Sequence, residues 1–317
     1  MDAKHSLSFE YKYFDLSTLK TRWLFHQLQH LFQATMCGHN NFPTPPSSED
    51  GSYEESDAGE PRYTPQELGA LFLDFYKFLT TLHYNEADLK VPPPQGWPQI
   101  TPESCSHFKS DYAIEVLRHL PYFDSKCTAY IHFKSRLLDF TAFTHQDYEK
   151  HENYIEGLEF WSDEGEVDPS DVVCIAVGHE SFGRQLWLNV KDCEIHEDMV
   201  AGDMLVAIQV ESFFENLKEQ YRTLKLIPGR GRITIEAEKT PEREDRITEG
   251  EVRDQNGDWG TELDIQYVRQ IYRQHGWPDA FRKEEAFKAI DDWIDSSYES
   301  RYEWARSPPD WDSTRWT

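Results

Sequence analysis

The segment from Asp171 to Leu226 constrains the fold more than any other part of this chain. Val172, Val173, Ile175 and Val177 form a β-branched apolar run that ends at Gly178. Leu186, Trp187, Leu188 and Val190 form a second run, and Met204 to Val210 a third. Short runs rich in β-branched and aromatic residues, separated by turn residues, read as strands. A longer segment then spaces Phe213, Phe214, Leu217, Tyr221 and Leu224 at helical intervals, with Ser212 and Glu215 positioned as a capping box. Three strands closed by a covering helix make a layered domain.

The remaining chain supplies enough apolar surface to complete such a domain. At 317 residues, with 38% hydrophobic and 14% aromatic content, it has material for one large core or two smaller ones. Its 58 Asp and Glu against 32 Lys and Arg leave a formal charge of -26. That field repels a phosphate backbone and anionic lipid, so neither nucleic acid nor a membrane is an expected partner. No uninterrupted apolar run is long enough to span a bilayer. The first residues lack the basic and apolar regions of a secretory signal. Cysteines at 37, 105, 127, 174 and 193 are odd in number and scattered, which suits reduced thiols in a cytoplasmic or nuclear compartment. Cys174 lies inside a strand run and reads as a small buried hydrophobe.

Taken in order, the chain alternates structured and polar stretches. Leu19 to Ala34 carries apolar residues at helical spacing after Ser17. Cys37 to Arg62 is proline-, serine- and acid-rich and reads as a disordered linker with acid-flanked serines open to phosphorylation. Thr64, Pro65 and Glu67 announce a helix through Leu82, with Leu68, Phe72, Phe75 and Leu79 on its apolar face. The proline-rich Val91 to Pro102 reads as an ordered crossing over the domain. Asp111 is placed to cap a helix from Tyr112 to Leu120, ended by Pro121. Ala129 to Phe133 and Leu137 to Phe140 read as short strands, and Glu156 to Asp171 as an acidic approach to the first long strand. Past Pro228, Thr240 to Trp259 is polar and reads as a loop. Helices are expected through Ile265, Val268, Ile271 and Tyr272, ending near Gly276, and from Lys283 to Ile294.

Residues able to do chemistry are present without a recognisable arrangement. His145, His151, His179 and His196, with the carboxylates between Glu156 and Asp171, are the material for a metal-dependent or other hydrolase. Their spacing matches no established ligand pattern, and Cys193 with His196 makes only half of a zinc signature. No catalytic residue, metal or cofactor is therefore expected. Pro228 to Arg232 (PGRGR) could cradle an anion through Arg230 and Arg232, although it lacks the lysine and hydroxyl residue of a nucleotide loop. Trp23, Leu28 and Phe32 of the leading helix, and Trp304 and Trp311 of the tail, are candidate contacts for a protein partner.

Strands Val172 to Gly178, Leu186 to Val190 and Leu205 to Val210, the last running into Ser212, Phe213, Phe214 and Leu217, resemble the SMI1/KNR4-like domain family. The capped helix Thr64 to Leu82 and Trp161 extend the resemblance to about Tyr63–Pro228. It implies an α+β scaffold that binds proteins, with no common catalytic set; bacterial members resemble toxin-neutralising immunity proteins, and fungal relatives are linked to cell-wall synthesis and signalling.

The expected fold is α+β, with a single mixed or mainly antiparallel sheet flanked by helices and helical N- and C-terminal extensions. The expected divisions are an N-terminal helical extension (1–36), the acidic linker (37–62), an α+β core (63–240), and an acidic loop, helical region and Trp-rich tail (241–317). The expected function is an intracellular, non-enzymatic protein-interaction or regulatory module, with hydrolase as the alternative.

Overall fold

A computed structural model describes residues 60–105, 108–127, 129–155, 158–162, 165–178, 183–200, 204–229, 234–255 and 261–295. All lie in one compact unit, Ala58–Thr317. Helix α1 (Pro65–Leu82) opens the fold. Its N-cap Thr64 accepts from the Glu67 N–H while Glu67 reaches back to the Thr64 N–H, so two otherwise orphaned donors are satisfied. Strand β1 (Leu89–Lys90) pairs antiparallel with β2 (Tyr122–Phe123), and α2 (Asp111–His119) lies between them in the chain. Strands β3 (Tyr130–His132) and β4 (Ser135–Leu137), helix α3 (His145–Ile155) and the hairpin β5 (Trp161–Ser162) and β6 (Gly165–Glu166) follow. Then come β7 (Val172–Gly178), β8 (Arg184–Asn189), β9 (Glu194–Met199) and β10 (Ile208–Gln209), which runs directly into α4 (Val210–Arg222). A second hairpin, β11 (Leu226–Pro228) and β12 (Thr234–Glu236), precedes α5 (Glu249–Arg253), α6 (Glu262–Gln274) and α7 (Lys283–Asp295).

The main sheet has six strands in the order β10-β9-β8-β7-β4-β3, every neighbouring pair antiparallel. This is the α+β architecture expected, with helices on the sheet and after it. Alternation along β7 and β8 sends side chains to two different cores. Val173, Ile175, Leu186 and Leu188 join the large core with α1, α2 and α4. Val172, Cys174 and Trp187 join a small core with Ile155, Phe160 and Val167. Burial on both faces explains why these strands read as continuous apolar runs.

Aromatic packing fixes the helices against each other. Phe214 of α4 stacks on Phe75 of α1 at 4.6 Å and meets the edge of Phe72 at 4.9 Å; each such pair contributes about 0.5–1.5 kcal/mol beyond its buried area. Where α1 crosses α2, Gly69 lets the backbones meet: a Cβ there would lie 2.3 Å from the His119 carbonyl oxygen. The crossing segment after β1 is tied down by Trp97, whose indole donates to the Leu120 carbonyl at 2.8 Å.

The structure corrects several expectations. The third long strand is β9, whose Glu194, Ile195 and His196 are all buried; the Met204–Val210 run supplies only the two-residue β10 and a bridge at Met204. Buried polar side chains on β9 hide its strand pattern. Helix α4 begins at Val210, its N-cap Gln209 makes no side-chain cap bond, and Ser212 lies inside the first turn. The Val210 N–H pairs with the Cys193 carbonyl, so the sheet sets this helix start, and Glu215 turns to Lys218 at 2.6 Å. Ser110, rather than Asp111, caps α2 by accepting from the Ala113 N–H. The expected strand Leu137–Phe140 contributes only Leu137 to β4, and Phe140 starts a 3-10 turn. The acidic approach contains β5 and β6, and the polar stretch after Thr240 contains α5, capped by Thr248 with Glu251.

A boundary at residue 240 does not coincide with a break in the core. Val252, Val268, Tyr272, Trp277, Phe287 and Trp293 belong to the same apolar cluster as α1 and α4. The buried Arg269 donates to the carbonyls of Leu224 (3.1 Å), Ala237 (2.7 Å) and Thr240 (2.6 Å), clasping α6 to the chain on both sides of the second hairpin.

Candidate functional site

Trp23, Leu28, Phe32, Trp304, Trp311, Arg230, Arg232 and His179 lie outside the described residues, as do the helix expected at Leu19 to Ala34 and the acidic linker up to residue 59. The strands flanking the PGRGR turn are placed: β11 and β12 pair with Pro228 opposite Thr234.

The described histidines of the hydrolase reading, His145, His151 and His196, do not assemble a metal centre. His145 is exposed on α3, 3.5 Å from Glu149. His151 and His196 are buried at the small core. Cys193 belongs to the large core, whereas the His196 ring meets Phe160 of the small core, so the CxxH pair faces two ways. Among the described residues no group of three His, Cys, Asp or Glu side chains could hold a metal ion. The four described cysteines are free, and burial raises each thiol above its ordinary range, Cys193 to about 11. A thiol so held is a poor nucleophile at neutral pH.

Trp187 is the centre of the small core. It sits between Cys174 on β7 and His196 on β9 in the strand register. Phe160, just before β5, packs its ring edge-on to Trp187 at 5.5 Å and to His196 at 5.4 Å, and His151 of α3 meets Trp187 at 6.3 Å. Burial lowers the proton affinity of His196, which favours a neutral ring among these aromatics. Beside this core, Lys109 and Glu152 form a buried ion pair at 2.7 Å, and Lys109 also donates to the Pro169 carbonyl at 3.2 Å. Desolvation lowers the Lys109 affinity for its proton and Glu152 restores part of it. These groups lock α3 to the segments before α2 and β7, which is a structural task.

A second charged group lies on the β8–β9 surface. Arg184 bonds Glu197 and Glu236, each at 2.8 Å, and Glu236 lies 3.8 Å from His132. Burial raises the Glu197 carboxyl while Arg184 opposes that shift. The arginine is thus committed to carboxylates of its own chain.

The stretch from Met204 to Gln209 is different. Val206 is 86% exposed, flanked by Leu205 at 41% and Ile208 at 39%. Met204 packs on the small core and bridges Asp198, and the Leu205 N–H donates to the Glu197 carbonyl at 2.7 Å. The main chain is therefore anchored to β9 while three apolar side chains face water at the outer edge of the sheet. Trp161, 58% exposed, stands beside Phe160 on the hairpin over the same small core. Exposed apolar residues on an ordered sheet edge are the kind of surface on which other chains can pack. Met204–Val210, broken only by Gln209, is an apolar run like those of β7 and β8, so its sequence carries no signal that separates exposure from burial.

No helix of the described residues is long and apolar enough to cross a membrane. Comparison of the chain with protein-family models, curated proteins and solved structures finds no match.

Proposed function

We propose that this chain is a non-enzymatic protein-interaction module, of the kind its SMI1/KNR4-like resemblance implies, and that it docks its partner on the sheet edge at Met204–Ile208. The observation that carries this is the exposure of Val206 between Leu205 and Ile208 on backbone held by β9. Raised thiols and committed charged groups support a binding role over chemistry. The four described cysteines, all free, suit a reducing cytoplasmic or nuclear compartment.

The test is a photo-crosslinking amino acid placed at Val206 and, as control, at the exposed Glu284 of α7. Irradiation in cells should give a discrete heavier product at position 206 that position 284 does not give. A correctly folded protein that yields no adduct at 206, or the same adducts at both positions, refutes the docking assignment.

A further inference from the structure

The partner surface can be specified further, resting on the docking assignment above: we infer that the edge accepts an extended, lysine- or arginine-bearing segment of another protein as an added strand beside β10. Strand β10 is last in the sheet order and pairs on one side only within that sheet, Ile208 with Ile195 and Gln209 with Glu194. Upstream, the Leu205 N–H bond to Glu197 and the Met204–Asp198 bridge keep the same backbone against β9. An incoming strand thus meets backbone already ordered, and main-chain pairing needs little further loss of freedom.

The two ends of this edge are not equivalent. At the Gln209 end, the Arg62 N–H donates to the Lys191 carbonyl and its guanidinium to the Gln209 side chain. The open stretch is 204–208, bounded by the Met204 bridge to Asp198 and by Ile208 of β10. Val206 and Ile208, two residues apart and both exposed, suit an added strand with an apolar residue at every second position.

Charge selects the rest of the segment. Between Lys191 and Lys218 the sequence has Asp or Glu at 192, 194, 197, 198, 203, 211 and 215 and no lysine or arginine. Arg184 answers Glu197 but also holds Glu236; Arg62 lies 3.8 Å from Glu211; Lys218 bonds Glu215 but also Asp74. The sequence from 192 to 217 thus carries seven carboxylates and no lysine or arginine. A second copy of a chain with net charge -26 is repelled from this edge, whereas a basic segment is attracted.

The experiment uses the full chain and three synthetic probes in fluorescence anisotropy. One is an octapeptide of alternating Lys and Val, the second has Glu in place of Lys, and the third is the Lys peptide N-methylated on alternate amides. The Lys peptide should bind at least about tenfold tighter than either other probe and weaken as salt rises. Val206→Ser and Val206→Lys should each weaken it by about tenfold or more, with unchanged thermal unfolding confirming the fold. Equal binding of the Lys and Glu peptides overturns the charge assignment, and binding unaffected by both Val206 variants overturns the location. Equal binding of the N-methylated peptide overturns strand addition while leaving the docking assignment intact. No binding by any probe, or a dimer in sedimentation that Val206→Lys dissociates, overturns the inference; adducts to a different protein at position 206 would still uphold docking.

Discussion

Acidification from pH 7 to pH 5 should remove a large part of this protein's stability through two histidines, His83 and His132. His132 accepts the Phe133 N–H on Nδ1 at 2.7 Å, and burial with the nearby Arg184 lowers its pKa to about 3 despite Glu236 at 3.8 Å. His83 is half-buried as a residue, but both ring nitrogens are enclosed without a hydrogen-bond partner between Tyr84, Tyr221 and Lys283. Burial, and the charge of Lys283, bring its pKa to about 3. In the unfolded chain each ring titrates near 6.5, so the unfolded state takes up protons first. The stabilisation is present above pH 6.5 and is lost as pH falls toward the folded value. At pH 5 an unfolded histidine is mostly protonated and a folded one is not, which costs about 2 kcal/mol per ring relative to pH 7, or about 4 kcal/mol for the pair. His196 is shifted in the same direction. Carboxylates held low, such as Asp124, act at lower pH, and the raised Glu197 carboxyl acts in the opposite direction to the histidines. Urea unfolding followed by tryptophan fluorescence at pH 7, 6 and 5 measures the effect. The double variant His83→Gln, His132→Asn should lose about 4 kcal/mol of that pH dependence, whatever its absolute stability. A double variant with the parent's full dependence would refute the reasoning.

Three further predictions concern packing and caps. Lys109→Met should destabilise the fold by about 3–5 kcal/mol because it strands Glu152, and Lys109→Met with Glu152→Met should recover much of the loss; a double-mutant cycle in denaturant reads both. Gly69→Ala should cost about 1–3 kcal/mol in thermal or chemical melts, because the close approach to the His119 carbonyl outweighs the helix-propensity gain of about 1 kcal/mol. Thr64→Ala should cost about 1 kcal/mol, whereas Ser212→Ala should stay within about 0.5 kcal/mol, since only Thr64 makes a cap bond.

The parts of this fold legible in its sequence are those where local chemistry and burial agree. Helix α1 carries its cap, proline and apolar face together; β7 and β8 show as apolar because both faces are covered. Strand β9 was obscured because Glu194 and His196 are polar yet buried, a pattern decided by neighbours distant in the chain. The reverse holds for Met204–Val210, whose apolar composition suggests burial although Leu205, Val206 and Ile208 face water. The candidate edge was therefore hidden by the same rule that located the core. The separation of Cys193 from His196 depends on sheet face and strand entry, which spacing alone does not encode.

The clasp made by Arg269 bears on how this chain reaches its native state during synthesis. When only the residues through Thr240 have emerged, the carbonyls of Leu224, Ala237 and Thr240 lack the guanidinium that later joins them. The apolar cluster likewise lacks Tyr272, Trp277 and Trp293. The sheet can begin to assemble under α1, α2 and α4, but the part of the cluster carried by α6 and α7 arrives last. This sequence of events leaves a nascent chain with exposed apolar surface until α6 and α7 dock, an interval in which chaperones have a defined surface to hold.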